Sequence, residues 1–356
     1  MKKLLFIICV LVMICTVSYA SFEVPETVKI KLSDGEIIEI DLDEYLYGVV
    51  KNEMGTSYKT NGEVKQVGIE ALKAQAVASR TYAVYKILQN KNTDYDMTAT
   101  TADQVYKAGN VPEIVKDAVD ATSGQVMTYD DEVICAYFFS TSGGHTESPE
   151  NVWYSPLPYL EGVEDPYEPY IEGKSEWTAR IPASKYGEIE VLDTDEYDRV
   201  IELKVGNEIL TKNNIRMKLG ASLIKSTWFE VEYDSSTDEY VFNGKGYGHG
   251  VGMSQYGAMG MAEAGYNYQE ILSWYYKDIE FEPNGEEYIV INKADKVTKT
   301  DKVVDNNSNG VNSDYSNSKA DVIDPNHNNT RGPLLISLLE TAKSIVSLKD
   351  TLVKQQ

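Results

Sequence analysis

Apolar and polar residues alternate along Val28-Lys-Ile-Lys-Leu and again along Glu36-Ile-Ile-Glu-Ile-Asp-Leu, on either side of Ser33-Asp-Gly35. Alternation of period two around an Asp-Gly turn predicts a β-hairpin. From Tyr45 the period lengthens. Tyr45, Leu46, Val49 and Val50 fall on one helical face, and Asp43 ahead of them is the expected N-cap. Gly68 to Gln89 predicts a long helix whose Leu72, Ala76, Ala83 and Ile87 recur at helical spacing, and its alanines suit close packing. Val111 to Asp120 predicts a short amphipathic helix with Pro112 in its first turn. Gln125–Tyr129 and Val133–Phe139 flank Asp130-Asp131 and predict a second hairpin. Alternating runs such as Val200–Val205 and Trp228–Tyr233 follow between Trp177 and Val241, with a helix near Asn213 to Leu219. Met253–Ala264 and Tyr268–Tyr276 predict the last two helices. The sum is a β-rich α+β protein over residues 21–287, with a second, smaller β-rich lobe expected at 165–242.

The ends of the chain read differently. Met1-Lys-Lys, an apolar run from Leu4 to Val17 and the small residues up to Ala20 predict a signal peptide over 1–20. It is either cleaved after Ala20 or kept as a membrane anchor; both export the chain. Lys293 to Arg331 is rich in Asn, Ser, Asp and Lys, which predicts a disordered linker over 288–333. Leu335, Leu338, Ala342, Ile345 and Leu352 then mark an amphipathic helix over 334–356, for docking, oligomerisation or packing back on the domain.

Composition narrows the function. The chain has 33 Lys and Arg against 56 Asp and Glu, a net charge of −23, and no basic patch, which speaks against nucleic acid as a partner. Of its 3 Cys, Cys9 and Cys15 fall in the signal, so Cys135 is left without an internal partner for a disulfide. The 3 His are scattered and no zinc-ligand spacing occurs, so no metal or other cofactor is expected.

Glu53 stands after Val49-Val50 and before Met54. A glutamate there serves either as a cap or salt-bridge partner at a helix end, or as a buried acid whose charged form is disfavoured by desolvation. The second role suits protonation of a glycosidic oxygen near neutral pH. Lys73, Gln75, Ser79 and Arg80 are polar residues on the alanine-rich helix, placed either for solvent or for carbohydrate hydroxyls. Ser140-Thr-Ser-Gly-Gly144 fits a strand-capping turn or close backbone approach to a ligand. Gly-x-Ser-x-Gly is absent, which disfavours serine catalysis. Gly244-Lys-Gly-Tyr-Gly-His-Gly-Val-Gly252 fits a ligand loop or a glycine strand packed against another backbone, and lacks the spacing of a nucleotide loop.

Taken in order, several of these segments resemble the SpoIID/LytB family. They are Tyr45-Leu-x-Gly-Val-Val-x-x-Glu-Met, Ala71-Leu-Lys-Ala-Gln-Ala-Val-Ala-Ser-Arg-Thr-Tyr, Gln104-Val-Tyr, Tyr137-Phe-Phe-Ser-Thr-Ser-Gly-Gly, Glu150-Asn-Val-Trp153, Tyr159-Leu-x-x-Val-x-Asp-Pro and Gly246-Tyr-Gly-His-Gly-Val-Gly-Met-Ser-Gln-Tyr-Gly-Ala258. The resemblance runs from about residue 25 to 282. It implies a lytic transglycosylase that cuts the MurNAc-GlcNAc β-1,4 bond of peptide-stripped peptidoglycan strands and leaves a 1,6-anhydro end, during engulfment in sporulation. It implies Glu53 as the catalytic residue. It implies helices lining a glycan-binding groove, with Lys73, Gln75, Arg80, Ser140, Thr141, Ser142, His249 and Gln255 as its substrate-binding residues. It also implies a SpoIIP-like cell-wall amidase and a SpoIIM-like membrane scaffold as partners. The alternative is a non-catalytic, glycan-binding enhancer of an amidase. Some members carry a zinc-binding Cys pair where this chain has Met97 and Asp103, so no zinc is expected there and the loop is expected to be held by packing.

Overall fold

A computed structural model describes residues 24–283 except Tyr154. The expected signal or anchor, the linker and the C-terminal helix lie outside the described residues. The chain is α+β, with several small sheets around and beside a set of packed helices.

The first hairpin is present as β1 (Thr27–Lys31) and β2 (Ile37–Asp41), paired antiparallel. Helix α1 (Leu42–Glu53) follows at once. Its N-cap is Asp41, not the expected Asp43: the Asp41 carboxylate accepts from the Asp43 and Glu44 amides at 3.1 Å. Asp43 is one residue inside the helix and turns its side chain to Arg80 and Ser123 instead. A further hairpin, β3 (Ser57–Thr60) and β4 (Glu63–Gln66), turns on Asn61-Gly62 with both residues at positive φ. Asn-Gly is a strong hairpin signal because glycine and asparagine tolerate that conformation.

Helix α2 (Ile69–Gln89) is the centre of the molecule. From Ala71 to Val84 nearly every side chain is buried, including five alanines that are fully so. A helix buried on all sides is mostly small or apolar, its buried polar side chains being held by hydrogen bonds, and alanine lets α1 and later helices approach closely. The short strand β5 (Met97–Thr98) joins β1 in parallel. Helix α3 (Glu113–Asp120) packs on α1 and α2, with Pro112 at its N-cap.

Strand β6 (Val126–Tyr129) pairs with β7 (Glu132–Val133), but the expected hairpin is short. Beyond Val133 the chain leaves the sheet, and β8 (Phe138–Phe139) forms a separate pairing later in the chain. A single turn, α4 (Pro149–Val152), follows.

The chain then builds a second hydrophobic core. It is made by β9 (Glu176–Pro182), α5 (Ala183–Tyr186), β10 (Ile189–Thr194), β11 (Val200–Val205), β12 (Glu208–Thr211), α6 (Asn214–Leu219), β13 (Phe229–Asp234) and β14 (Glu239–Lys245). Sheets β10-β11-β12 and β13-β14-β9 bury Trp177, Ile181, Leu203, Val205, Ile215 and Phe242 between them. The alternating burial along β9 is what its sequence pattern demands.

The chain returns to the first core through β15 (Met253–Ser254), parallel to β8, then α7 (Gln255–Glu263), α8 (Tyr268–Tyr275) and β16 (Glu280–Glu282) on β6. Helices α7 and α8 both pack on α2. Among the described residues no helix is long and apolar enough to cross a membrane.

Candidate functional site

Glu53 is the last residue of α1. It stands four residues after Val49 and three after Val50, both fully buried, so it shares their inward face. It is 8% exposed. Its carboxylate accepts from the Val105 amide at 3.0 Å and from the Gln255 side-chain amide at 3.3 Å.

Gln255 opens α7 and joins two of the expected residues to the acid. Its Nε2 also donates to Gln75 Oε1 at 3.3 Å, and Gln75 Nε2 donates to Ser79 Oγ at 2.9 Å. Glu53, Gln255, Gln75 and Ser79 thus form one buried chain between α1, α7 and α2. The Gln104-Val-Tyr106 segment closes it from another side, with Gln104 Nε2 donating to the Ser79 carbonyl at 3.1 Å.

The segment before it is held in a way the sequence reading missed. Packing was expected at Met97 and Asp103, and Met97 is indeed buried. The Asp103 carboxylate, however, accepts from Thr98 N at 2.8 Å, Thr98 Oγ1 at 2.9 Å and Tyr82 OH at 3.1 Å, and pairs with Lys86 at 3.0 Å. Hydrogen bonds and an ion pair, rather than packing alone, fix this loop beside Glu53. Among the described residues no group of His, Cys, Asp and Glu is arranged to hold a metal ion.

The serine-glycine loop and the glycine-rich strand form a second wall. Thr141 and Tyr247 exchange both backbone hydrogen bonds, at 2.9 and 2.7 Å. The glycines are required by this contact. A Cβ at Gly252 (φ +79°) would lie 2.0 Å from the Tyr137 carbonyl oxygen, and one at Gly246 (φ +80°) 2.8 Å from that of Ser142. Beneath the loop lies Glu168, which accepts from Ser142 N, Ser142 Oγ, Gly143 N at 3.0 Å and Ser254 Oγ at 2.8 Å. Burial, then the nearby Asp165 carboxylate, push Glu168 up to about 7 against the pull of these donors.

These contacts sort the expected residues. Gln75 and Gln255 meet Glu53 directly or through one amide. Ser140 is buried in the wall, and its Oγ accepts from Lys174 Nζ at 3.2 Å. Thr141 and Ser142 are buried and serve the wall itself. His249 is packed against Tyr137, Phe139 and Trp153, and its Nδ1 accepts from Val251 N at 3.1 Å. Burial, with Arg216 adding to it, pushes His249 down to about 3, so it is a neutral ring at ordinary pH.

Two expected residues point elsewhere. Arg80 is fully buried, and its guanidinium donates to the carbonyls of Val119 at 3.2 Å and Thr122 at 2.7 Å and pairs with Asp43 at 2.9 Å. It closes the C-terminal end of α3, where unpaired carbonyls attract a cation. Lys73 pairs with Glu70 at 2.7 Å and sits 5.8 Å above the Tyr268 ring, near the start of α8.

The structure adds residues the sequence reading passed over. Tyr256 follows Gln255 and packs edge-on against Tyr58 at 5.9 Å. Lys174 donates to the Tyr256 hydroxyl at 3.3 Å. Arg199, from the β10–β11 turn of the second lobe, donates to the carbonyls of Ser142 at 3.0 Å and His145 at 2.6 Å. Its Nε lies 3.5 Å from Glu147, and both side chains are 2% exposed. Tyr256 stands inside a quoted motif and could have been read from it. Lys174 and Arg199 carry no local signature.

The pattern of a family described as stage II sporulation protein, SpoIID, matches residues 33–129. A domain of unknown function, DUF8618, matches residues 173–252, which span most of the second lobe. Stage II sporulation protein D of Bacillus subtilis (strain 168) is 31% identical over 275 residues, covering 69% of this chain and 76% of that protein. An uncharacterized protein of Brachyspira hyodysenteriae is 34% identical over 256 residues, covering 68% and 67%. A protein named amidase enhancer, from the same Bacillus subtilis strain, is 30% identical over 293 residues, covering 65% of this chain and 39% of that protein.

Proposed function

The chain belongs to the SpoIID family of stage II sporulation proteins, and from that premise we propose that it is a peptidoglycan lytic transglycosylase with a cell-wall role in sporulation. Its substrate is the peptide-stripped glycan strand, cut at the MurNAc-GlcNAc β-1,4 bond. The observation that carries this reading is Glu53: one buried carboxylate, held by a backbone amide and by Gln255, at the end of a chain of buried polar side chains.

The chemistry uses a single acid. Hydrolytic glycosidases place two carboxylates across the bond, one to protonate and one to act on water or on the sugar. Here Glu53 gives its proton to the leaving O4 as the C1–O4 bond breaks. The 6-hydroxyl of the same muramic acid bonds to C1, and its proton passes to the Glu53 carboxylate. Intramolecular attack needs no bound water and has the advantage of high effective molarity. Gln255 keeps the carboxyl oriented, and Gln75 keeps Gln255 oriented. The reaction belongs at the extracytoplasmic face of the membrane or in the intermembrane space of the sporangium. A cell-wall amidase supplies the stripped strand, and a membrane scaffold holds the pair together.

A second reading is favoured by the relative named amidase enhancer: the chain binds glycan and stimulates an amidase without cutting. Purified protein incubated with stripped strands, with products read by mass spectrometry, separates the two. The transglycosylase releases anhydro-muramic ends, and Glu53→Gln lowers that rate by about 10²- to 10⁴-fold, the range for loss of a general acid-base group. No anhydro ends from wild type, or equal release by Glu53→Gln, leaves the enhancer reading.

A further inference from the structure

A chain of net charge −23 nevertheless gathers cations where the second lobe meets the first core. Lys174, Lys225, Lys245 and Arg199 all stand there over aromatic faces. Lys174 lies 4.7 Å from the Tyr256 ring centre and 5.7 Å from that of Tyr247; Lys225 lies 5.8 Å from Tyr247. Lys245 and Arg199 share Trp228, at 3.6 and 4.6 Å.

Lys174 is the one tied to the acid. Its ammonium donates to the Tyr256 hydroxyl and to Ser140 Oγ, at 3.3 and 3.2 Å. Tyr256 adjoins Gln255, which holds Glu53. Tyr58, five residues beyond Glu53, packs edge-on against Tyr256. Both Lys174 and Tyr256 are half-buried, so the charge is partly shielded from water and still reachable.

The substrate of the proposed reaction carries a negative charge of the kind this cation would bind. Removing the stem peptide by amide hydrolysis turns the lactyl amide on O3 of muramic acid into a free carboxylate. That carboxylate hangs from the same ring whose C1 bond breaks. We propose that Lys174, walled by Tyr256 and Tyr247, binds this lactyl carboxylate and thereby selects peptide-stripped strands. The inference rests on the transglycosylase reading. An ammonium over ring faces is oriented before substrate arrives, so little side-chain freedom is lost on binding. Its bond to a carboxylate is charge-assisted and is stronger in a partly desolvated site than in water. A peptide-bearing strand offers a neutral amide there and forfeits that bond. The domain of unknown function over residues 173–252 thus contributes the recognition side of the site, and the first core contributes the acid.

The test compares stripped strands with the same strands after their lactyl carboxylates are converted to primary amides. Wild type is expected to favour the carboxylate strands by about tenfold in kcat/KM, the size of one charge-assisted hydrogen bond. Lys174→Gln is expected to bring that ratio to near one by losing rate on the carboxylate strands alone, and Lys174→Arg to keep part of the preference. Because the ratio is taken within each variant, partial misfolding does not mimic the result. A wild-type ratio near one, or an undiminished ratio in Lys174→Gln, overturns the proposal. If wild type cuts neither strand, the function reading fails by itself. The ratio of binding affinities for the two strands, measured on wild type and Lys174→Gln, then decides the inference by the same criterion.

Discussion

The first core and the second lobe are both closed around apolar side chains, yet they treat polar groups in opposite ways. The first buries Glu53, Gln75, Ser79, Arg80, Thr81 and Gln104 among its helices. In the second lobe, from β9 to β14, the buried polar residues among those described are Arg199, Arg216 and Ser226, and Arg199 points out of the lobe into the loop at Ser142 and His145. Burying a polar group without partners costs several kcal/mol, so cores keep such groups only with hydrogen bonds made. The first core meets that condition with linked amides around an acid. The lobe buries fewer such groups, among them Arg216, whose Nε donates to the Ile224 carbonyl at 3.3 Å, and it sends Arg199 to its edge. The difference teaches that the lobe's own interior is a scaffold, and that its influence on the site passes through Arg199 and the lysines at the join.

The join offers the largest effect. Burial, then Asp195, push the Glu147 carboxyl up, while Arg199 pulls it down. Arg199→Met removes that partner and frees the Ser142 and His145 carbonyls. The expected loss is about 3–5 kcal/mol, the cost of breaking a buried ion pair by removing one member. Urea denaturation measures it, and Arg199→Lys is expected to recover only part. A loss within experimental error would mean the lobe and the first core are not coupled through this residue.

A cut inside the lobe sharpens the comparison. Leu203 is fully buried in the second core. Leu203→Ala is expected to cost about 2–5 kcal/mol, borne by the lobe. Trp177 and Trp228 lie in the lobe and Trp153 and Trp274 in the first body, so tryptophan fluorescence during unfolding reads both. A lobe transition that moves ahead of the helical signal supports two separable cores. A single transition shifted as one contradicts them.

The smallest effect is the response to pH, and it belongs to the first body. Glu168 is raised from 4.5 to about 7 by burial and by Asp165. Between those values the folded state binds more protons than the unfolded state. Its contribution to stability is therefore complete below about 4.5 and is lost as pH rises through about 7. Glu168→Gln is expected to flatten the fall of the thermal midpoint between pH 5 and pH 8. An unchanged slope would mean the carboxylate is ionised throughout, satisfied by Ser142, Gly143 and Ser254.

Much of the first body was legible in the chain. Periodicity gave both α1 and α2 because Val49, Val50 and the alanines of α2 repeat at helical spacing and are buried for that reason. The cap was misplaced by two residues because Asp41 and Asp43 are equally good capping residues, and only the Arg80 contact separates them. The hairpin at Asn61-Gly62 carried a clear turn signal that was passed over. Gln255 reaches Glu53 and Gln75 reaches Gln255, whereas Arg80 closes the end of α3 and Lys73 pairs with Glu70. Helical spacing says which residues share a face; it does not say which neighbour that face meets. Glu168, Lys174 and Arg199 were invisible because each acts on a segment at least 25 residues away, through the fold alone.

The central claim is that one carboxylate suffices because the sugar supplies its own nucleophile. Cleavage of stripped strands in water labelled with heavy oxygen tests it directly. If Glu53 works as described, the new muramic acid end is an anhydro sugar, lighter than a reducing end by one water, and carries no label. A labelled reducing end formed by the wild-type protein and not by Glu53→Gln would mean that water is the nucleophile, and would contradict the account.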